Sequence, residues 1–294
     1  MKNKLNKNKR DSISAKTKED RFAKNLLSKP KSIAKPGNPK TNFNKIGSGM
    51  GSNGQVWLYG IHTVKAALSN PNRKKYRLLI NETSTHLLSI NKQQIPTEFV
   101  PRHKIDSILP SDSVHQGIAL LVAPLKYKTL DYIYKITDEN ALIVILDQIS
   151  DPRNIGAILR SASAFNVTCA IIPNKYTPEM THTLAKSASG ALDQIPIVNT
   201  NNISRAIDAL KRTEFWVMGL DSGSKQVLSE TNISGKIALV LGAEGSGLRR
   251  LTKEKCDFLV NIPINPRIGS LNVSTSAAIA FYEISNTHKM SSLT

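Results

Sequence analysis

At 294 residues with 40% hydrophobic content the chain can pack one or two domains, and no apolar run approaches the roughly 20 residues a membrane-spanning helix needs. The net charge of +18 points to a polyanionic partner, nucleic acid first; residues 1–50 carry 14 Lys/Arg against 3 Asp/Glu, a net +11, and the remainder 26 against 19, a net +7. Two cysteines, Cys169 and Cys256, exclude a disulfide framework and a four-ligand thiolate zinc site, so no metal is expected.

Residues 1–54 are rich in Lys, Asn, Ser and Pro and have too few apolar positions to offset the entropy of ordering. They read as a disordered basic tail. Its role is open between non-specific phosphate contacts and a solvated extension. No apolar core of a signal peptide is visible, and Asp11, Glu19 and Asp20 argue against a mitochondrial transit peptide, so a cytoplasmic location is expected.

Order is expected from residue 55, in a small α/β domain over 55–125. A helix fits 61–68, with Val64, Ala67 and Leu68 on its apolar side, and a strand fits 76–80. Residues 86–90 and 104–109 read as helical pieces, and 115–122 as a closing strand. His62 and His115 read as capping or core histidines. No serine or cysteine arrangement suggests a hydrolase triad.

Residues 126–137, after Pro124, read as a linker with a helical turn. A second domain over 138–290 then alternates strands at 141–147, 168–172, 195–198, 215–220, 237–242 and 258–262 with helices at 154–165, 179–190, 202–212, 248–255 and 271–286. Such alternation implies a parallel sheet covered on both faces, with ligands bound beyond the carboxyl ends of its strands. Cys169 falls in an apolar strand and reads as a buried thiol.

Three stretches lie at such strand ends: residues 141–165, 237–250 and 261–283. The third is the most telling. Pro263 and Pro266 stop the strand, and Asn272, Ser274, Thr275 and Ser276 crowd the first turns of the next helix with small polar groups, as a polar-ligand site would. The plain alternative is an ordinary capped helix. Gly242, Gly245 and Gly247 are expected to permit positive φ and close backbone approach to a ligand. The turn is not a dinucleotide fingerprint, because Glu244 replaces its second glycine, and no phosphate-loop lysine follows.

Together the stretches resemble the signature motifs of the SpoU family of RNA ribose 2'-O-methyltransferases, within the SPOUT superfamily. They match as Asn154-x-Gly156-x-x-x-Arg160, as Leu241-Gly242-x-Glu244-x-x-Gly247-Leu248, and as Ile262-Pro263 followed by Ser270-Leu271-Asn272-Val273-Ser274. Residues 55–125, which open Tyr59-Gly60-Ile61-His62 and close His115-Gln116-Gly117-Ile118, resemble the family's RNA substrate-binding domain. The resemblance implies a trefoil-knotted methyltransferase domain, a homodimer with active sites near its interface, and S-adenosylmethionine held at Gly242, Ile262 and Leu271. It also implies a reacting centre of Asn154, Arg160, Glu244, Ser270 and Asn272. Arg160 is the candidate that activates the ribose hydroxyl, by stabilising alkoxide charge or, in a stronger form, by taking its proton. Glu244 reads as structural rather than as a general base. The third motif departs from the family pattern, with Ile264 and Pro266 where a methionine and a glycine are usual, so a stiffer loop is expected. Both domains together resemble most closely the enzymes that modify a guanosine in large-subunit ribosomal RNA. A transfer-RNA methyltransferase and a non-catalytic RNA-binding assembly factor are the alternatives.

Overall fold

The computed structural model describes residues 54–88, 95–176, 182–231 and 233–291. The expected tail over 1–54 lies outside them except for Gly54, as do residues 89–90 of one expected helical piece and 179–181 of another helix.

The first domain is a four-stranded mixed sheet in the order β1 (Val56–Tyr59), β4 (Ile118–Val122), β2 (Lys75–Ile80), β3 (Thr97–Phe99). Helix α1 (Ile61–Ser69) buries Val64 and Ala67 against it. The first turn of α1 is capped from a distance: Ile61 N–H donates to Gln116 Oε1 at 3.0 Å, which joins the two ends of the domain. His115 is a core residue, with Nε2 at 2.8 Å from Asp106 and Nδ1 accepting from Gly117 N–H. Gln116 and Gly117 both have positive φ, so the closing strand starts at Ile118 instead of residue 115. The expected helical piece at 86–90 is instead a 3-10 turn, Glu82–Leu87, started four residues earlier because Asn81 Oδ1 caps Thr83 N–H at 2.9 Å. The second piece is α2 (Arg102–Asp106), and β3 has no counterpart in the sequence reading.

The second domain is a six-stranded, all-parallel sheet: β10 (Phe258–Val260), β8 (Trp216–Leu220), β9 (Ile237–Gly242), β5 (Leu142–Asp147), β6 (Cys169–Pro173), β7 (Ile197–Thr200). Side chains alternate between its faces. Leu142, Val144 and Leu146 join the cluster under α3 (Pro152–Ala164), α4 (His182–Ala188) and α7 (Val273–Ser291). Ala141, Ile143 and Ile145 join the cluster under α5 (Ile203–Lys211) and the 3-10 turn Leu130–Lys135. Helix α6 (Arg250–Lys255) precedes β10. The α/β class with a parallel sheet is therefore as expected. Helix α3 starts two residues before the expected position, since Asp151 caps it and Pro152 suits its first turn.

The two domains touch closely. A Cβ on Gly190 would stand 2.8 Å from Ala66 Cβ and 3.0 Å from His62 O, so this contact requires glycine. Buried Arg73 pairs with buried Asp193, 3.6 Å from Nε to Oδ1, and Asn70 Nδ2 donates to the same oxygen at 3.0 Å. Burial raises the Asp193 carboxyl pKa and lowers that of the Arg73 guanidinium, each opposed by the other's charge. The segment between domains is stitched to the edge of the large sheet: Lys128 N–H donates to Ile197 O, and Asn199 N–H donates to Lys128 O.

Candidate active site

The carboxyl ends of β8, β9 and β10 open into a cleft of about 380 Å³. Gly242, Glu244, Ile262, Ser270, Leu271 and Asn272 all line it, so two of the three sequence stretches meet there. Asn154, from the first stretch, reaches them through one side chain. Asn272 Nδ2 donates to Asn154 Oδ1 at 3.1 Å and also to Glu244 Oε1, while Asn272 Oδ1 accepts from Ser274 N–H at 2.8 Å and Ser274 Oγ at 2.6 Å. The last two bonds cap α7, so the plain reading of a capped helix is correct as far as it goes. The amide nitrogen does the remaining work of tying three loops together. Glu244 Oε1 also accepts from Val273 N–H at 3.5 Å, at the edge of hydrogen-bond range. Its carboxylate is thus committed to the start of a helix, where negative charge is stabilised, in keeping with a structural role.

The glycines divide by function. Gly245 and Gly247 have φ of 83° and 64°. Gly242 does not have positive φ, which corrects the expectation for it. Its need is space: a Cβ there would lie 2.2 Å from Gly247 C and 2.4 Å from Leu248 N, because the loop folds back over it through Gly247 N–H to Ala243 O. The backbone it approaches is its own.

Arg160 stands apart. It is exposed on α3, does not line the cleft, and has no hydrogen-bond or ion-pair partner among the described residues. Helices α3 and α7 run side by side, with Asn154 bonded to Asn272 at one end and Phe165 O accepting from Ser285 Oγ at the other. On α7, Ile279 is 39% and Tyr282 55% exposed, and Tyr282 meets Phe165 edge-on at 6.0 Å.

Sequence reasoning passed over Leu220, Asp221 and Ser222, which line the cleft from the end of β8. Their signal is their place at the end of a strand flanked by the strands that lead into the second and third stretches. It also passed over Asp147, fully buried at the end of β5, which pairs with Arg249 Nη2 at 2.8 Å and accepts from Thr252 Oγ1 at 2.7 Å. This clamps β5 to the start of α6. The next residue, Gln148, has φ of 64°, a strained conformation for a side chain of that kind. Burial pushes the thiols of Cys169 and Cys256 up to about 12, so neither is a nucleophile near neutral pH. Among the described residues no group of three His, Cys, Asp or Glu could hold a metal, and no helix is long and apolar enough to cross a membrane.

Residues 141–282 match the model of the SpoU rRNA methylase family, and residues 57–128 match that of the RNA 2'-O ribose methyltransferase substrate-binding domain. A protein of Staphylococcus saprophyticus described as a TrmH family tRNA/rRNA methyltransferase is 35% identical over 239 residues, covering 78% of this chain and 95% of its own. A relative of the same description from Bacillus subtilis is 34% identical, covering 72% and 88%. The crystal structure of a SpoU methyltransferase from Streptomyces viridochromogenes, in complex with the cofactor AdoMet, superposes with a TM-score of 0.65 at 19% identity, over 79% of this chain and 90% of that one. The chain belongs to the SpoU (TrmH-like) family and is an RNA ribose 2'-O-methyltransferase.

Proposed function

We propose that the enzyme methylates the ribose 2'-hydroxyl of a guanosine in large-subunit ribosomal RNA, using S-adenosylmethionine bound in the cleft beyond β8, β9 and β10. The cleft suits that cofactor. Leu220, Leu241, Ile262 and Leu271 offer apolar walls, and Gly242 and Gly245 leave backbone accessible beside them. Gly242, Ile262 and Leu271 would hold it, within the knotted threading that the resemblance implies. When bound, the group supplies a methyl on a positively charged sulfur. The observation that carries the reading is the Asn272 junction, which draws all three motif loops to one cleft. A second domain of the substrate-binding type, as in the ribosomal-RNA enzymes the whole chain resembles, favours ribosomal RNA over transfer RNA.

A ribose hydroxyl is a poor nucleophile near neutral pH, so the protein must orient it and stabilise the charge that develops on it. No histidine or cysteine lines the cleft. Arg160 takes this role, clamping the neighbouring phosphate and stabilising the alkoxide with the fixed positive charge and planar fork of a guanidinium. Asn154, Ser270 and Asn272 position ribose and cofactor.

The active form in this reading is a homodimer joined through the exposed face of α3 and α7. Ile279 and Tyr282 supply its apolar contact, and the face repeats in both copies as a two-fold interface requires. Arg160 then lies at the join, where it serves the cleft of the second copy. Mapping of 2'-O-methyl groups in ribosomal and transfer RNA from a strain lacking the enzyme tests the substrate. Loss of one guanosine mark in large-subunit RNA is expected. A mark lost only from transfer RNA would overturn the ribosomal assignment, and no lost mark would favour an assembly factor.

A further inference from the structure

We propose that the groove between the two domains is a second RNA site, which takes a single-stranded stretch of the substrate well away from the reacting ribose. The inference rests on the reading of this chain as an RNA-modifying enzyme. The groove is about 630 Å³, large enough for a short run of single strand and too small for a duplex.

Its lining has the chemistry of such a ligand. Exposed Lys74, Lys126 and Lys128 border it, two of them from the segment between the domains. Its one lining carboxylate, Asp193, is already paired with Arg73 beneath the surface. The groove therefore offers positive charge with no free negative charge. Tyr76 and Tyr127 add ring surface, and Lys74 Nζ stands 5.2 Å from the centre of the Tyr76 ring. Lysines over phosphates with tyrosines under bases is how sequence-tolerant single-strand sites are built. The chain's own N-terminal segment is a poor occupant, because residues 1–50 carry +11.

Position supports a remote contact. The groove meets the large sheet where β7 begins, whereas the cleft lies where β8, β9 and β10 end. Three strand spacings separate β7 from β9, about 14 Å across the sheet before the length of the strands is added. One nucleotide cannot reach both places, so the groove would select an RNA large enough to span them.

The test uses the full chain and a labelled oligouridine of about 12 nucleotides, titrated across salt from about 50 to 300 mM. Combined Lys74→Gln, Lys126→Gln and Lys128→Gln should weaken low-salt affinity at least about tenfold and make the slope of log affinity on log salt shallower by about 2. Lys→Arg at the same three positions should restore both, with an unchanged melting temperature as the check on folding. Unchanged affinity and slope would overturn the proposal, as would a loss that arginine does not restore. Loss of polyglutamate binding with oligouridine binding intact would overturn it in favour of an acidic protein partner. The enzymatic reading fails separately: a wild-type chain that holds oligouridine through these lysines but transfers no methyl group to RNA would sink that reading and leave the groove.

Discussion

The Asn272 junction and the Arg160 surface carry residues of one motif set and are built in opposite ways. At the junction every polar atom of the Asn272 side chain is engaged, and three loops are fixed relative to one another. Arg160 is exposed and unpartnered among the described residues. The first region is finished within one chain. In the proposed reading the second is completed by the substrate and a second copy of the chain, which would separate groups that hold the site from a group that acts on the substrate.

The largest effect should come from Arg160→Ala. Methyl transfer should fall at least about a hundredfold while cofactor affinity, measured by calorimetry, stays within about twofold. Arg160→Lys should not rescue it, because an ammonium lacks the planar fork that engages phosphate and alkoxide together. Near-normal turnover by Arg160→Ala at saturating cofactor and RNA would remove it from the mechanism and erase the contrast.

Mixing sharpens the comparison further. Inactive Arg160→Ala and inactive Asn272→Ala chains, unfolded and refolded together, should regain about a quarter of wild-type activity, since half the dimers would carry one intact composite site. No recovery would mean that both residues act within one chain. Ile279→Asp should yield a monomer by sizing with the fold intact by circular dichroism; a dimer that persists would place the interface elsewhere.

Gly242→Ala probes the finished region. Its Cβ has no room beneath Gly247 and Leu248, so the loop must lift, at a cost of about 1–3 kcal/mol in unfolding experiments and with weakened cofactor binding. Wild-type stability with wild-type cofactor affinity would show that the loop is not held as described.

The smallest effect lies along α7. Burial lowers the pKa of His288, with the Gly235 carbonyl and Asp138 opposing. A histidine whose folded pKa lies below the unfolded value of about 6.5 loses stability as pH falls through that value and retains it fully above. The melting temperature should therefore drop more between pH 7 and pH 5 for the wild type than for His288→Asn. Parallel curves would show that His288 titrates alike folded and unfolded.

The large domain was legible because its strands are continuous apolar runs and its helices carry clear apolar stripes, as in α5 with Ile203, Ala206, Ile207 and Leu210. Much of the cleft was legible for a related reason: a polar ligand at strand ends leaves glycines and small polar residues in short runs. What escaped was set by tertiary contact. The three-residue β3 is a strand only because it lies parallel to β2. Gly242 is required by a fold-back that no local pattern encodes. Asp147 looks like one more strand residue until Arg249 and Thr252 come to it from about 100 positions away. The surroundings of Arg160 were not legible, since periodicity gives a helix face and does not say what will cover it.

The stitching of Lys128 to β7, with Arg73 and Asp193 buried beside it, has a mechanical consequence. For the small domain to swing, a sheet edge would have to unzip and a buried ion pair would have to be opened. The molecule is better understood as a gauge than as a hand. A small domain held in this way would offer a bound RNA a fixed spacing, so an RNA whose own folded shape matches that spacing would bind at the least cost.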